Sequence, residues 1–288
     1  MTIREVQRHL KTLFGSSAAT ASEADDLTRI ILEDIAGYGP TFIFANGDRT
    51  VEDFMYDKIE AAARRVLSGE PVQYVVGSAH FMGMRLKVTP DTLIPRPETA
   101  GLVDIVTDAY GGRSDLQVLD VGTGSGCIAI ALARALPFAR VTGLDISPAA
   151  LAVAAENGRA MGVNVAWEQG DALNMDKDSR RWDVVVSNPP YIARSEAASM
   201  DARVLDYEPA TALFVPDDDP LRFYTAITRY AATHLRDGGG LFFEINPLYA
   251  DDMRRMMEST QGMTDVDIIR DYRGMLRFAK AVCRGAER

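Results

Sequence analysis

Apolar positions recur at helical spacing through the first part of the chain. Ile3, Val6, Leu10 and Leu13 share one face of a first helix, and Leu27, Ile30, Ile31 and Ile35 share one face of a second, which Gly37 and Pro40 are expected to close. A third segment, 51–67, ends at Ser68-Gly69-Glu70-Pro71. Three packed amphipathic helices carry no chemistry of their own, and their use would be to hold a partner. From residue 72 the period shortens. Gln73-Tyr74-Val75-Val76 and Met84-Arg85-Leu86-Lys87-Val88 are β-prone pieces on either side of a turn-prone stretch, the pattern of a hairpin linking two domains. Residues 89–97 are Pro-rich and exclude regular helix; Leu93-Ile94-Pro95-Arg96-Pro97-Glu98-Thr99 reads as an ordered loop leading into a helix over 99–110. Arg96, confined between prolines, is either a surface cation or a positioned one. The expected division is a helical domain over 1–75, a hairpin and Pro-rich linker over 76–97, and a second domain over 98–288.

In that second domain short apolar runs alternate with helical patterns. Strands are expected at 117–121, 140–144, 163–168, 182–186 and 241–245, with two more at 266–269 and 275–282; helices are expected at 127–136, from Pro148 onward, and at 221–235 and 248–258. Asp237-Gly238-Gly239-Gly240 reads as a turn. Alternation of this kind implies a three-layer α/β sandwich around a mainly parallel sheet.

Composition narrows the class. A chain of 288 residues, 47% apolar, builds one large core or two domains. The net charge of -10 argues against broad electrostatic capture of nucleic acid, although it leaves room for a local basic patch. Cys127 and Cys283 are the only cysteines, which fits a reducing compartment; His9, His80 and His234 stand far apart, without metal-ligand spacing, so no metal is expected. Residues 1–13 lack the continuous apolar core of a signal peptide, and no apolar run approaches the ~18 residues of a membrane span. A cytoplasmic enzyme is the expectation.

Candidate chemistry sits at strand ends. Ser187-Asn188-Pro189-Pro190-Tyr191 follows the apolar strand Trp182-Asp183-Val184-Val185-Val186, so Asn188 falls at a carboxyl edge, where open α/β sheets bind ligands. Two prolines hold Asn188 and Pro189 extended. The Asn188 side-chain carbonyl and the Pro189 backbone carbonyl are two acceptors suited to the two N–H groups of a planar amine or amide, and Tyr191 adds an aromatic face; the alternative is a Pro-rich turn with Asn as turn former. Gly122-Thr123-Gly124-Ser125-Gly126, between a strand and a helix, lets a ligand approach the backbone, but Cys127 stands where a dinucleotide fingerprint requires glycine. Asp145 ends the second strand, placed to accept from two ribose hydroxyls or to cap the helix that Pro148 begins. Asp171, after Gly170, accepts from an adenine amino group or simply terminates its strand.

Taken in order, Val118-Leu119-Asp120-Val121-Gly122-Thr123-Gly124-Ser125-Gly126, Leu144-Asp145, Gly170-Asp171 and Ser187-Asn188-Pro189-Pro190-Tyr191-Ile192 resemble an S-adenosylmethionine-dependent N-methyltransferase. More narrowly, the chain resembles the protein-(glutamine-N5) methyltransferases acting on peptide chain release factors. That narrower likeness rests on Glu70-Pro71-Val72-Gln73-Tyr74 with Gly77 and Phe81, on Leu93 to Thr99, on Tyr207-Glu208-Pro209 with Ala212-Leu213, and on Asp271, Gly274 and Arg277. The resemblance implies a Rossmann-like class I methyltransferase fold with a seven-stranded sheet, behind a helical domain that docks the substrate. It implies S-adenosylmethionine against Gly122, Thr123, Gly124, Ser125 and Gly126, its ribose on Asp145, its adenine beside Asp171 and Ala172, and contact with Asn188. The glutamine of a Gly-Gly-Gln motif would be held by Asn188, Pro189, Pro190 and Tyr191, with Asn188, Pro189 and Tyr191 serving the transfer. Two departures stand out: Ala100 replaces an acidic residue usual after Thr99, and Asn246-Pro247 follows Glu244-Ile245 where the family often has Gly and then Gln. An amino-methyltransferase of DNA or RNA would use the same Asn-Pro-Pro-Tyr logic, since its target is again a planar NH2. Cys127 and the double proline speak against a nicotinamide-dependent dehydrogenase, and intact motif positions against a non-enzymatic interaction protein.

Overall fold

The computed structural model describes residues 1–17, 20–175 and 178–284. These form two compact units, Met1–Ser78 with Asp201–Tyr207, and Ala79–Met200 with Glu208–Arg288.

In the first unit local signals set each helix. Thr2 and Glu5 form a capping box at the start of α1 (Ile3–Gly15), and the Thr20 hydroxyl caps α2 (Ala21–Ala36). Gly37, at φ 70°, ends α2 in the left-handed conformation. Pro40 does not act as a terminator; it occupies the first turn of α3 (Pro40–Asn46), where its missing N–H costs nothing. After α4 (Asp53–Leu67) comes the clearest correction. Gln73 to Val76, expected as a strand, belong to α5 (Val72–Val76). The Pro71 carbonyl accepts the N–H groups of Tyr74 and Val75, and Gly77 at φ 71° closes the turn. Local hydrogen bonding therefore overrides the β preference of the valines, and among the described residues of 1–77 five helices stand where three were expected. Ile3, Val6, Leu10, Phe14, Ile31, Leu32 and Ile59 bury together as this unit's core.

The second unit opens on a hairpin, β1 (Ser78–Phe81) and β2 (Met84–Lys87), which starts later than expected. Its two turn residues, Met82 and Gly83, both have positive φ, the geometry that matches strand twist in two-residue hairpins. Then follow α6 (Ala100–Tyr110), β3 (Gln117–Val121), α7 (Cys127–Ala135), β4 (Arg140–Asp145), α8 (Pro148–Ala160), β5 (Val165–Gln169), β6 (Trp182–Ser187) and β7 (Ile192–Ala193). The short α9 (Ala202–Tyr207) counts with the first unit; α10 (Ala210–Leu213), β8 (Phe214–Val215), α11 (Arg222–His234), β9 (Leu235–Glu244), α12 (Ala250–Ser259), β10 (Met263–Arg270) and β11 (Leu276–Cys283) complete the chain.

Seven strands form one sheet in the order β10-β11-β9-β6-β3-β4-β5, with β11 antiparallel to both neighbours and the remaining pairs parallel. Alternate residues feed two cores. Val118, Val184, Val186 and Phe242 pack with α6 and α7, while Leu119, Val121, Val185 and Phe243 pack with α11 and α12. The sheet is thus the middle of the three expected layers, and because β6 is covered on both faces all six of its residues are buried. The expected turn at Asp237 to Gly240 lies inside β9. There the pairing jumps from Trp182↔Leu235 to Val184↔Gly240, so β9 bulges out by three residues before the ladder resumes. Among the described residues no helix is long and apolar enough to cross a membrane.

Candidate active site

Parallel strands leave their carboxyl ends on one edge, and the loops after β3, β4, β5 and β6 surround a cavity of about 570 Å³. Its wall includes Gly122, Thr123, Gly124, Ser125, Asp145, Asp171, Ala172, Asn188, Pro189 and Pro190, together with the Pro-rich loop from Pro90 to Arg96 and Thr99.

Below the cavity the Leu144 carbonyl accepts the N–H groups of Gly122 and Thr123, which turns the chain sharply off β3. Gly122 and Gly124 have φ of 73° and 55°, and a Cβ on either would meet nothing within 4 Å, so their backbone is open to a ligand. Gly126 differs. It caps α7, and a Cβ there would lie 2.8 Å from the Trp167 indole, so it faces protein packing and is not part of the cavity wall. Asp145 accepts from the Gly124 N–H at 2.8 Å through Oδ2 and from the Ser147 N–H at 2.9 Å through Oδ1. Helix capping at Pro148 falls to Ser147, whose hydroxyl accepts from Ala150. Asp171 Oδ1 accepts from the Leu173 N–H, so this carboxylate turns the chain and lines the cavity at once.

At the end of β6 the Ser187 hydroxyl donates to the Val121 carbonyl at 2.6 Å and ties the start of the Asn-Pro-Pro-Tyr stretch to the neighbouring strand. Asn188 Nδ2 donates to Thr99 Oγ1 at 3.4 Å, and among the described residues Oδ1 makes no hydrogen bond. Thr99 Oγ1 in turn donates to Glu244 Oε2 at 2.7 Å. Tyr191 directly follows Pro190 but is not among the residues that line the cavity. Its ring packs against the core shared with α11 and α12, and its hydroxyl points to Glu244 Oε1 at 3.5 Å. Burial and the neighbouring Glu244 charge push the Tyr191 phenol far above its ordinary range, so it remains protonated. Burial also raises Glu244 itself, against the Thr99 hydrogen bond and the Arg277 charge.

Several supporting residues are given no role by the sequence. Glu208, almost fully buried, accepts from the Ile94 N–H at 3.2 Å and from Arg96 Nη2 at 2.6 Å, which gives Arg96 a fixed place and holds the Pro-rich loop. Asn157 bridges three segments: its Oδ1 accepts from the Lys87 N–H and its Nδ2 donates to the carbonyls of Lys87 and Ser125. Asn246, one of the departures, donates to the Tyr191 carbonyl and to Glu196. Asp120 lies wholly buried under the glycine-rich turn, where burial pushes its pKa up to about 7 against hydrogen bonds from Thr123 and Ala129. The available signal was a polar residue inside an apolar run, as in Leu241-Phe242-Phe243-Glu244-Ile245. Cys127, which borders the cavity, is pushed by burial up to about 12 and stays a thiol.

Similarity to known proteins spans nearly the whole chain. Residues 6–77 match a family described as PrmC N-terminal domain, and residues 118–206 match a methyltransferase domain. A release factor glutamine methyltransferase of Bacteroides thetaiotaomicron is 42% identical over 260 residues, covering 90% of this chain and 92% of the relative. Its counterpart in Bordetella pertussis is 37% identical over 272 residues, covering 94% and 97%. Among solved structures, a methyltransferase from Pyrococcus furiosus superposes with a TM-score of 0.53 at 16% identity, covering 78% of this chain and 99% of the other. A 16S rRNA methyltransferase from Thermus thermophilus, in complex with AdoMet and guanosine, gives 0.51 at 20% identity, covering 72% and 50%. At such identities the two structures speak for the fold alone.

Proposed function

The chain belongs to the release factor glutamine methyltransferases, and from that premise we infer that it methylates the side-chain amide nitrogen of the glutamine in the Gly-Gly-Gln motif of peptide chain release factors, with S-adenosylmethionine as donor. The residues around the cavity fit that donor. Gly122 and Gly124 leave backbone open for its methionine part, and Asp145 keeps a lone pair on each oxygen for two ribose hydroxyls. Asp171 and Ala172, with Leu144 and Ile146, offer a mixed polar and apolar wall for adenine. When bound, S-adenosylmethionine supplies an electrophilic methyl on a sulfonium leaving group.

The observation that carries the reading is the state of Asn188. Its NH2 is engaged by Thr99, so its oxygen is the free acceptor, beside a Pro189 carbonyl whose direction Pro190 restricts. Together these two oxygens accept both N–H groups of a glutamine amide and hold its nitrogen in one orientation. They also stabilise positive charge growing on that nitrogen. No strong base is needed, because an alkylated amide nitrogen loses its proton readily to water. Proximity and orientation are then the protein's main contribution, with effective molarities of ~10⁵ M or more in well-aligned systems. Release factors act on ribosomes, so this reading implies a cytoplasmic enzyme.

The test is mass spectrometry of a release factor incubated with this protein and labelled S-adenosylmethionine. A single methyl on the Gly-Gly-Gln glutamine is expected. An unmodified factor together with methylated bare DNA or RNA would move the assignment to a nucleic-acid amino-methyltransferase.

A further inference from the structure

The Asn188 side chain has two faces of nearly equal shape, oxygen and NH2, and only one serves the chemistry above. Shape alone does not select between them. If the amide were turned over, its NH2 would meet the NH2 of the substrate, donor against donor, and the acceptor would be lost. Something on the protein side has to distinguish N from O.

We propose that Thr99 and Glu244 are positioning residues that fix which way round the Asn188 amide is held; the proposal rests on the functional reading above. A hydroxyl has one proton. Thr99 gives its proton to Glu244 Oε2 at 2.7 Å, within hydrogen-bond range, and so meets Asn188 only as an acceptor, at 3.4 Å from Nδ2. Each Glu244 oxygen is met by a hydroxyl, Oε2 by Thr99 and Oε1 by Tyr191, so the carboxyl group serves both as acceptor. Polarity is thereby handed on in one direction, from carboxylate to hydroxyl to amide. Both intermediaries are buried, Thr99 at 2% and Glu244 at 1% relative exposure. They also stand on different elements, Thr99 ahead of α6 and Glu244 at the carboxyl end of β9, the strand that pairs with β6. The Tyr224 hydroxyl, donating to the Glu244 carbonyl at 2.9 Å, fixes the end of β9 from the other face.

The experiment uses the full-length protein, S-adenosylmethionine and an intact release factor in single-turnover transfer. Thr99→Val is expected to lower the transfer rate about five- to ten-fold, the scale of one neutral hydrogen bond, with the factor's KM and the cofactor's affinity within two-fold of wild type. Thr99→Ser, which keeps the hydroxyl, should restore the rate. Glu244→Gln, which can donate to Thr99 and release its proton toward Asn188, should lower the rate similarly. In an Asn188→Ala background Thr99→Val should cost nothing further, because an effect routed through Asn188 has no target there; a purely structural role would add. The NMR signal of the Asn188 side-chain NH2 needs no substrate, and it should move in Thr99→Val and Glu244→Gln and return in Thr99→Ser. A wild-type protein that methylates no release factor would refute the functional reading. An unmoved NH2 signal, or transfer by Thr99→Val within two-fold of wild type, would refute the orienting role.

Discussion

Asp145 holds one backbone N–H on each carboxylate oxygen, Gly124 on Oδ2 and Ser147 on Oδ1, so both oxygens are aimed before any ligand arrives. If its remaining lone pairs take two ribose hydroxyls, Asp145→Ala should weaken S-adenosylmethionine binding by ~1.5 to 3 kcal/mol, the range for hydrogen bonds to a charged group. Calorimetry of a folded variant decides this, and unchanged affinity would remove Asp145 from the site. Asp120 is a different carboxylate. It has lost its water entirely, both of its donors reach Oδ2, and Oδ1 has no partner among the described residues. Burial, with a smaller contribution from the Asp145 charge, lifts its pKa from 3.8 to about 7. The folded state therefore holds a proton that the unfolded chain gives up. Its contribution to stability is full below the unfolded value and is lost as pH rises through the folded one. Asp120→Asn keeps an oxygen for Thr123 and Ala129 and removes the titration. The stability of wild type relative to this variant should fall by about 2 to 3 kcal/mol between pH 5 and pH 8 in urea unfolding. A difference that stays flat over that range would mean Asp120 is already ionised at pH 5.

Helix α6 shows how one element is fitted to another. Gly101 lies inside it, and a Cβ there would sit 2.7 Å from Cζ of Phe278 on β11, a ring that is itself buried in the core. On an isolated helix Gly→Ala gains about 1 kcal/mol. Here the methyl must displace a packed ring, and overpacking costs about 1 to 3 kcal/mol, so Gly101→Ala should leave the protein less stable by about 1 kcal/mol. Adding Phe278→Leu should recover part of that loss. Equal or higher stability of the single variant would show that the ring yields freely. The same contrast between local and distant causes decides what the sequence disclosed. The strands and the order of elements were legible because each is a short apolar run bounded by glycine or a polar residue. The glycine-rich turn, Asp145 and Asn188 were legible because each motif is contiguous and its position at a strand end follows from the strand itself. Helix α5 was not, since its valines favour a strand and the deciding bonds run from the Pro71 carbonyl. The bulge at Asp237 to Gly240 was not, because four turn-forming residues give no sign that the ladder resumes beyond them. Thr99 and Glu244 are 145 positions apart, and Lys87 and Asn157 are 70 apart; no local pattern joins such pairs. The side-chain direction of Tyr191 after two prolines cannot be seen in the sequence either; its partly buried ring packs against the core beside α11 and α12.

Two units, each with its own hydrophobic packing, imply two separable stabilities. Ile3, Leu10, Ile31 and Ile59 belong to the helical unit, while every residue around the cavity lies in the other. A lesion in the first core should therefore leave the cofactor site intact. Ile59 is fully buried, and Ile59→Ala removes packed methyl and methylene groups at a cost of about 2 to 5 kcal/mol. If the helical unit docks the release factor, as we propose, that loss should appear at one step only. Cofactor affinity by calorimetry is expected to stay within about two-fold of wild type, since Asp145 and the open glycine turn make none of their contacts to Ile59. Transfer to a short peptide carrying Gly-Gly-Gln should likewise persist, because the peptide offers the reacting side chain and little else. Transfer to the intact factor should fall, through a raised KM, once the assay temperature approaches the lowered melting point of the helical unit. The comparison separates docking from chemistry: only a docking surface distinguishes whole factor from peptide. Equal rates of Ile59→Ala and wild type on the intact factor, at a temperature where circular dichroism shows the helical unit melted in the variant, would mean that these helices have no part in recognising the substrate.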